Sequence, residues 1–296
     1  MKIRANGIEI EADDTAAPGD PRPVVLLIMG MGMQLIAWPP QLVQALEDAG
    51  YRVIRHDNRD IGLSQFFDDL GRPKLLWEGL KYRIGLTPQS PYTLSDMAAD
   101  SLGVLDALGV AKAHVVGVSM GGMIGQRLAL AAPERLLSLT SIMSSSGARD
   151  LPKPTGEVLR VLLKRPAGNS HKAVLNHYVR LFKVIGSPGF PVSEAELRER
   201  ILKGINRSFH PVGSTRQMMA VVADTTRAAQ LGYITVPTLV LHGKADPLVP
   251  FACGEDTARR IPGAKLVGIE GMGHDLAPGV VERLLVPLLA HLKANP

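Results

Sequence analysis

The stretch "AHVVGVSMGGMIGQRLALAAPERL", Ala113 to Leu136, decides the fold. Its first residues form a short apolar run, the pattern of a strand buried on both faces of a sheet. From Met120 the chain reads as a helix closed by Pro133. Between the two, Gly117 to Gly121 matches G-x-S-x-G with Ser119 at its centre. A serine on so sharp a strand-to-helix turn is held in a strained backbone conformation. Strand and helix then approach too closely for a Cβ at positions 117 and 121, which explains the two glycines. The hydroxyl is left at a helix N-terminus, where the dipole favours developing negative charge.

Working outward, the same alternation of strand and helix recurs. "MKIRANGIEIEAD" reads as a β-hairpin about Asn6-Gly7. "VVLLIM" is a buried strand, "QLVQALEDAG" a helix ending at Gly50, and "YRVIRHD" the next strand. Residues 58–91 are irregular, with one helix expected around "KLLWEGLKYRIG". Thr93, with Asp96 three residues on, predicts a capped helix start. "LLSLTSIMSS" is a further strand. Four helical stretches then follow without a strand: "GEVLRVLLKR", "SHKAVLNHYVRLFKVIG", "SEAELRERILKGI" and "STRQMMAVVADTTRAAQ". "VPTLVLHG", "FACGEDTARRI", "AKLVGIEG" and "VVERLLVPLLAHLKA" resume the alternation. The expectation is an α/β fold, a mostly parallel sheet with helices on both faces. Residues 1–146 and 233–296 form its core domain. Residues 147–232 form a helical cap over the strand ends, where such sheets place their sites.

Composition limits the function classes. With 46% hydrophobic residues, the 296-residue chain can bury a sizeable core. The single cysteine, Cys253, rules out an internal disulfide framework and any cysteine-based metal cluster. The segment 147–232 carries fourteen Lys and Arg against six Asp and Glu, whereas the rest of the chain is slightly acidic. Those basic residues lie on helix-like stretches without interleaved aromatics, the pattern of solvated faces or of steering toward anionic substrates rather than nucleic-acid binding. No signal peptide or membrane span is legible, so a cytoplasmic location is expected.

Ser119 needs a base, because a free hydroxyl is a poor nucleophile. Of eight histidines, His114 opens the nucleophile strand and His291 lies in the last helix. His171, His177 and His210 fall in the cap, and His56 and His242 end strands. His274 follows the last strand in the glycine-rich "IEGMGHDLAP", at the same sheet edge as Ser119. It is the expected base, with His242 in reserve. The orienting carboxylate is expected to be Asp246, just after the preceding strand. Asp275 adjoins His274 too closely to reach back to its ring, and the strand before the cap has no acid until Asp150. The order Ser119, Asp246, His274 is the order expected for this kind of elbow.

These features, over nearly the whole chain, resemble the α/β-hydrolase superfamily. "HDNRDIGLS" is similar to its D-x-R-G-x-G-x-S loop, matched at Asp57, Arg59, Gly62 and Ser64, with Asp60 in place of a glycine. Together with "MGMGMQLIAWPP", "YTLSDMAAD" and "GVSMGG", it resembles the narrower group of serine ester hydrolases related to aclacinomycin methylesterase. The resemblance implies a cofactor-free, metal-free enzyme acting on a small-molecule carboxylic ester through an acyl-enzyme. It also implies that the turn after the first buried parallel strand donates a backbone N–H to the oxyanion. That turn commonly reads His-Gly-x; here Met29 replaces the histidine, and Met31 takes the donor position with Gly32 as the alternative register. Met120, after the nucleophile, supplies the second N–H. Gly30, Gly32 and Met33, with Met218 and Met219 from the last cap helix, are expected to contact substrate through a soft methionine-rich pocket. Trp38 is expected to pack beneath the opening loop.

Three other readings compete. The same triad serves perhydrolase or haloperoxidase chemistry, lactone opening or carbon–carbon cleavage. A small-molecule binding protein on this fold would lack turnover. Gly30-x-Gly32 also invites a dinucleotide-binding reading, but Leu35 stands where the third glycine is required. Neither membrane nor nucleic acid is expected as a partner; a homo-oligomer is compatible with the sequence.

Overall fold

A computed structural model describes residues 1–17, 19–164, 168 and 170–296. Its strands are β1 (Lys2–Ala5), β2 (Ile8–Asp14), β3 (Val24–Ile28), β4 (Arg52–His56), β5 (Ala113–Val118), β6 (Leu136–Ile142), β7 (Thr238–Gly243) and β8 (Lys265–Ile269). They form one sheet in the order β1-β2-β4-β3-β5-β6-β7-β8. From β4 to β8 every pairing is parallel; β1 and β2 are antiparallel additions at one edge. The β1–β2 turn has positive φ at both Asn6 (49°) and Gly7 (78°), the backbone a type I′ hairpin needs.

Alternate residues of the central strands feed two separate cores, as a period of two dictates. Leu26, Ile28 and Val115 pack on one face with α3 (Leu94–Ala107) and α4 (Met120–Ala131). Val25, Leu27 and Val116 pack on the other with α1 (Pro40–Asp48) and α11 (Pro278–Lys293). All five residues of β3 and all six of β5 are buried, which accounts for their unbroken apolar sequence. α2 (Leu75–Arg83) occupies the irregular region before Thr93. The α3 start carries the reciprocal cap: the Asp96 N–H donates to Thr93 Oγ1 at 3.1 Å, and the Thr93 N–H donates to Asp96 Oδ2 at 2.8 Å.

Between β6 and β7 the described chain runs through α5 (Gly156–Leu163), α6 (His171–Ile185), α7 (Glu194–Arg207), α8 (Pro211–Ala223) and α9 (Arg227–Gln230). Arg165, the last residue of the first expected helical stretch there, lies outside the described residues. One expectation needs correction. "STRQMMAVVADTTRAAQ" is not one helix: α8 starts earlier, with Pro211 in its first turn, and stops at Ala223. Asp224-Thr225-Thr226 interrupts it, and the Asp224 carboxylate is taken by Arg127 and Arg227. Such short polar and β-branched residues offer the backbone local alternatives to the helix. α10 (Phe251–Arg260) separates β7 from β8. Among the described residues no helix is long and apolar enough to cross a membrane.

Candidate active site

The parallel strands deliver their C-terminal loops to one edge. Ser119 sits between β5 and α4 with φ 55° and ψ −118°, a strained backbone for a residue with a Cβ. The crowding anticipated from the sequence is present. A Cβ on Gly117 would run into the Gly121 carbonyl, and one on Gly121 into the Ile28 carbonyl. The Ser119 N–H donates to Ile142 O at 2.9 Å, and Ser144 Oγ donates to Ser119 O at 2.7 Å. These contacts hold the turn while leaving the side chain half-buried.

Ser119 Oγ lies 3.1 Å from His274 Nε2, and His274 Nδ1 lies 2.7 Å from Asp246 Oδ2. Because the carboxylate accepts, the proton belongs on Nδ1 and Nε2 is free to accept from the serine. The other Asp246 oxygen accepts from the Leu248 and Val249 N–H groups at 2.9 and 2.8 Å, which fixes the carboxylate. Asp246 and His274 are both buried.

The remaining histidines are elsewhere. His242 Nε2 donates to Val249 O at 2.8 Å and lies behind Asp246, 3.7 Å from its carboxylate; burial pushes its pKa down. His56 pairs with Ser101 at 3.2 Å and His114 with Ser138 at 2.8 Å; burial pushes both down to about 4. Asp275 turns away from the imidazole to accept from Ser187 Oγ at 2.5 Å.

Beside the elbow, Gly30 abuts the nucleophile: a Cβ there would sit 3.3 Å from Ser119 Cβ. The turn closes through Met33 N–H to Gly30 O at 3.2 Å, with Gly32 at φ 71°. Gly32 N–H donates to Gln217 Oε1 at 2.8 Å. No described residue accepts from the Met31 or Met120 N–H. The methionine side chains diverge. Met31 is 39% exposed, whereas Met120 is buried in the core beneath α4.

A cavity of about 400 Å³ opens between the 32–41 loop and the inserted helices, lined in part by Gly32, Met33, Trp38, Phe182, Ile201 and Leu276. Of the expected site residues it is lined by Gly32 and Met33, and not by Ser119, Asp246 or His274. Met218 and Met219 are on α8 but do not line this cavity, and Met219 is buried. Trp38 is fully buried in the core shared with Met33.

Sequence reasoning missed the contacts that the inserted helices make with these loops. His274 N–H donates to Ile185 O at 2.7 Å, and Gly273 N–H donates to Ser187 Oγ at 2.8 Å. Gln34 Nε2 donates to Gly204 O and Ser208 O at 2.7 and 2.8 Å, closing the end of α7. Asp60 adopts φ 70°, the left-handed backbone that glycine would take without strain, and its carboxylate accepts two 2.7 Å bonds from Arg216. Both side chains are fully buried. The departure from glycine at position 60 was the one visible signal of that pair.

This arrangement defines a class. A model of the alpha/beta hydrolase fold matches residues 23–277, and the chain belongs to that family. Among characterised relatives, rhodomycin D methylesterase DauP of Streptomyces sp. (strain C5) is 35% identical, covering 93% of each chain. Rhodomycin D methylesterase DnrP of Streptomyces peucetius is 34% identical over the same shares. Among solved structures, the meta-cleavage product hydrolase CumD of Pseudomonas fluorescens IP01 superposes with a TM-score of 0.74 at 20% identity, covering 100% of this chain and 98% of that one.

Proposed function

We propose that the protein is a serine carboxylesterase. The observation that carries this reading is the continuous hydrogen-bonded line Ser119–His274–Asp246, next to which Gly30 abuts Ser119 and the Met31 and Met120 N–H groups have no acceptor among the described residues. His274 Nε2 takes the Ser119 proton as Oγ attacks the ester carbonyl. The N–H groups of Met31 and Met120 hold the oxyanion of the tetrahedral intermediate. His274 then protonates the leaving alcohol, and water, activated by the same nitrogen, releases the acid.

Two observations support Met31 rather than Gly32 as the donor in the opening turn: Gly32 N–H is already engaged by Gln217, while Met31 N–H is not. The likeness to two methylesterases supports a carboxylic ester with a small alcohol as the substrate class. Residues 147–232 act as a cap, and the cavity beneath them takes the apolar part of the substrate through residues such as Met33.

The test is hydrolysis of methyl and 4-nitrophenyl esters, with lactones and a peroxide acceptor in the same panel. Ser119→Ala is expected to fold and to lose roughly 10⁴-fold or more in kcat. Ester turnover at the native rate by Ser119→Ala overturns the reading. Binding without turnover by the native protein favours a binding function, and turnover confined to lactones or peroxide reassigns the acceptor or bond.

A further inference from the structure

We propose that Gln217 is a positioning residue that sets the oxyanion turn from the inserted helices. The inference rests on the esterase reading above and deepens it.

The Gly30–Gly32 turn carries two consecutive N–H groups, Met31 and Gly32, and only one of them can face the reacting oxygen. Gln217 decides between them. Its Oε1 accepts the Gly32 N–H at 2.8 Å, and its Nε2 donates to Arg59 O at 2.8 Å. Each end of the amide has a partner of the required kind, so a flipped amide would set donor against donor and acceptor against acceptor. The side chain is fully buried and spans the loops after β3 and β4.

Its own position is fixed by its neighbour. Arg216 locks α8 to Asp60 through two 2.7 Å bonds and reaches Gly71 O at 2.9 Å. Asn58 Nδ2 donates to Met29 O at 2.9 Å, tying the other side of the same turn to the same loop. The oxyanion turn is therefore clamped between Asn58 and Gln217, with Met31 left to present its N–H. Without the Gln217 acceptor, the half-buried Gly32 N–H loses its protein partner. The turn then gains by rotating to find a partner, and Met31 rotates with it.

This device acts where charge develops and not where the resting ester binds. Gln217→Met keeps side-chain length and removes both hydrogen bonds. With active sites counted by fluorophosphonate titration, its kcat is expected to fall roughly 10- to 100-fold, a large part of what losing an oxyanion donor costs. KM stays within about threefold, as for an interaction made only in the transition state. A trifluoromethyl ketone, which forms an oxyanion on the serine, weakens by the same factor as kcat. Gln217→Glu keeps an acceptor for Gly32 but sets a second carboxylate oxygen against Arg59 O and adds negative charge beside the oxyanion, so it is expected to lose kcat as well. If Gln217→Met does not fold, Gln217→Asn, too short to span both groups, carries the same comparison.

Native kcat in Gln217→Met, or a loss confined to KM with ketone affinity unchanged, overturns the positioning role alone. Ester hydrolysis that survives Ser119→Ala overturns the reading beneath it as well.

Discussion

The Ser119 elbow and the Gly30–Gly32 turn, proposed above as nucleophile and oxyanion donor, lie side by side but are held by different means. The elbow is built largely from its own neighbourhood. Gly117, Ser119 and Gly121 lie within five residues, and the crowding that requires glycine comes from the strand, the helix and the adjoining end of β3. The oxyanion turn depends on a side chain from α8, 185 residues away in sequence. The loop carrying His274 shares that dependence, because Ile185 and Ser187 hold its backbone. The Ser119 turn is thus specified locally, whereas the Gly30–Gly32 turn and the His274 loop are held by contacts from the segment inserted between β6 and β7.

The largest expected effect comes from breaking the local half. Gly121→Ala forces a Cβ into the Ile28 carbonyl oxygen, a clash with backbone rather than with a flexible side chain. The variant is expected to lose more than about 4 kcal/mol, a large part of the stability of an ordinary domain, and with it all turnover. Soluble expression and circular dichroism melting check this. Breaking the distant half should cost less and act differently. Arg216→Met leaves the Asp60 carboxylate buried without its partner, at about 3–5 kcal/mol. Protease digestion is expected to cut the 147–232 segment first, with kcat lost before the core melts. Cooperative loss of both together would show that the insert and the core are one unit.

Mild acid, at about pH 6, should give the smallest effect and fall on the core. His56 and His114 are on β4 and β5, and burial lowers both to about 4. Unfolded, they titrate near about 6.5. Between those values the unfolded chain binds more protons, so stability is full above about pH 6.5 and declines as pH falls toward 4. Each can remove up to about 3 kcal/mol by the lower limit. Urea midpoints at neutral pH and at pH 5 measure this; an unchanged midpoint contradicts the buried neutral state.

The sequence made the local features legible because their signals are periodic or punctuated. The alternation of β3 and β5 between two cores, the Asn6-Gly7 turn and the Thr93–Asp96 cap all read directly. Ser119, Asp246 and His274 were singled out by position after β5, β7 and β8, and the fold brings them within hydrogen-bond reach. The rest was illegible for a physical reason. Residue type states a side chain's affinity for apolar surroundings but not which surroundings it will find. The methionines show this: Met120 is core, Met31 is 39% exposed, and Met218 and Met219 do not line the cavity that Met33 lines. Gln217, Arg216 and Ser187 carry no local pattern at all. Only Asp60 stood out, as a departure from the glycine of the resembled loop motif.

If Ser119 is an activated nucleophile, the native protein reacts there with a fluorophosphonate, as read by peptide mass spectrometry. One adduct per chain is expected, on Ser119, and none in Ser119→Ala. A native protein that stays unlabelled, or an adduct that persists in Ser119→Ala, would contradict this.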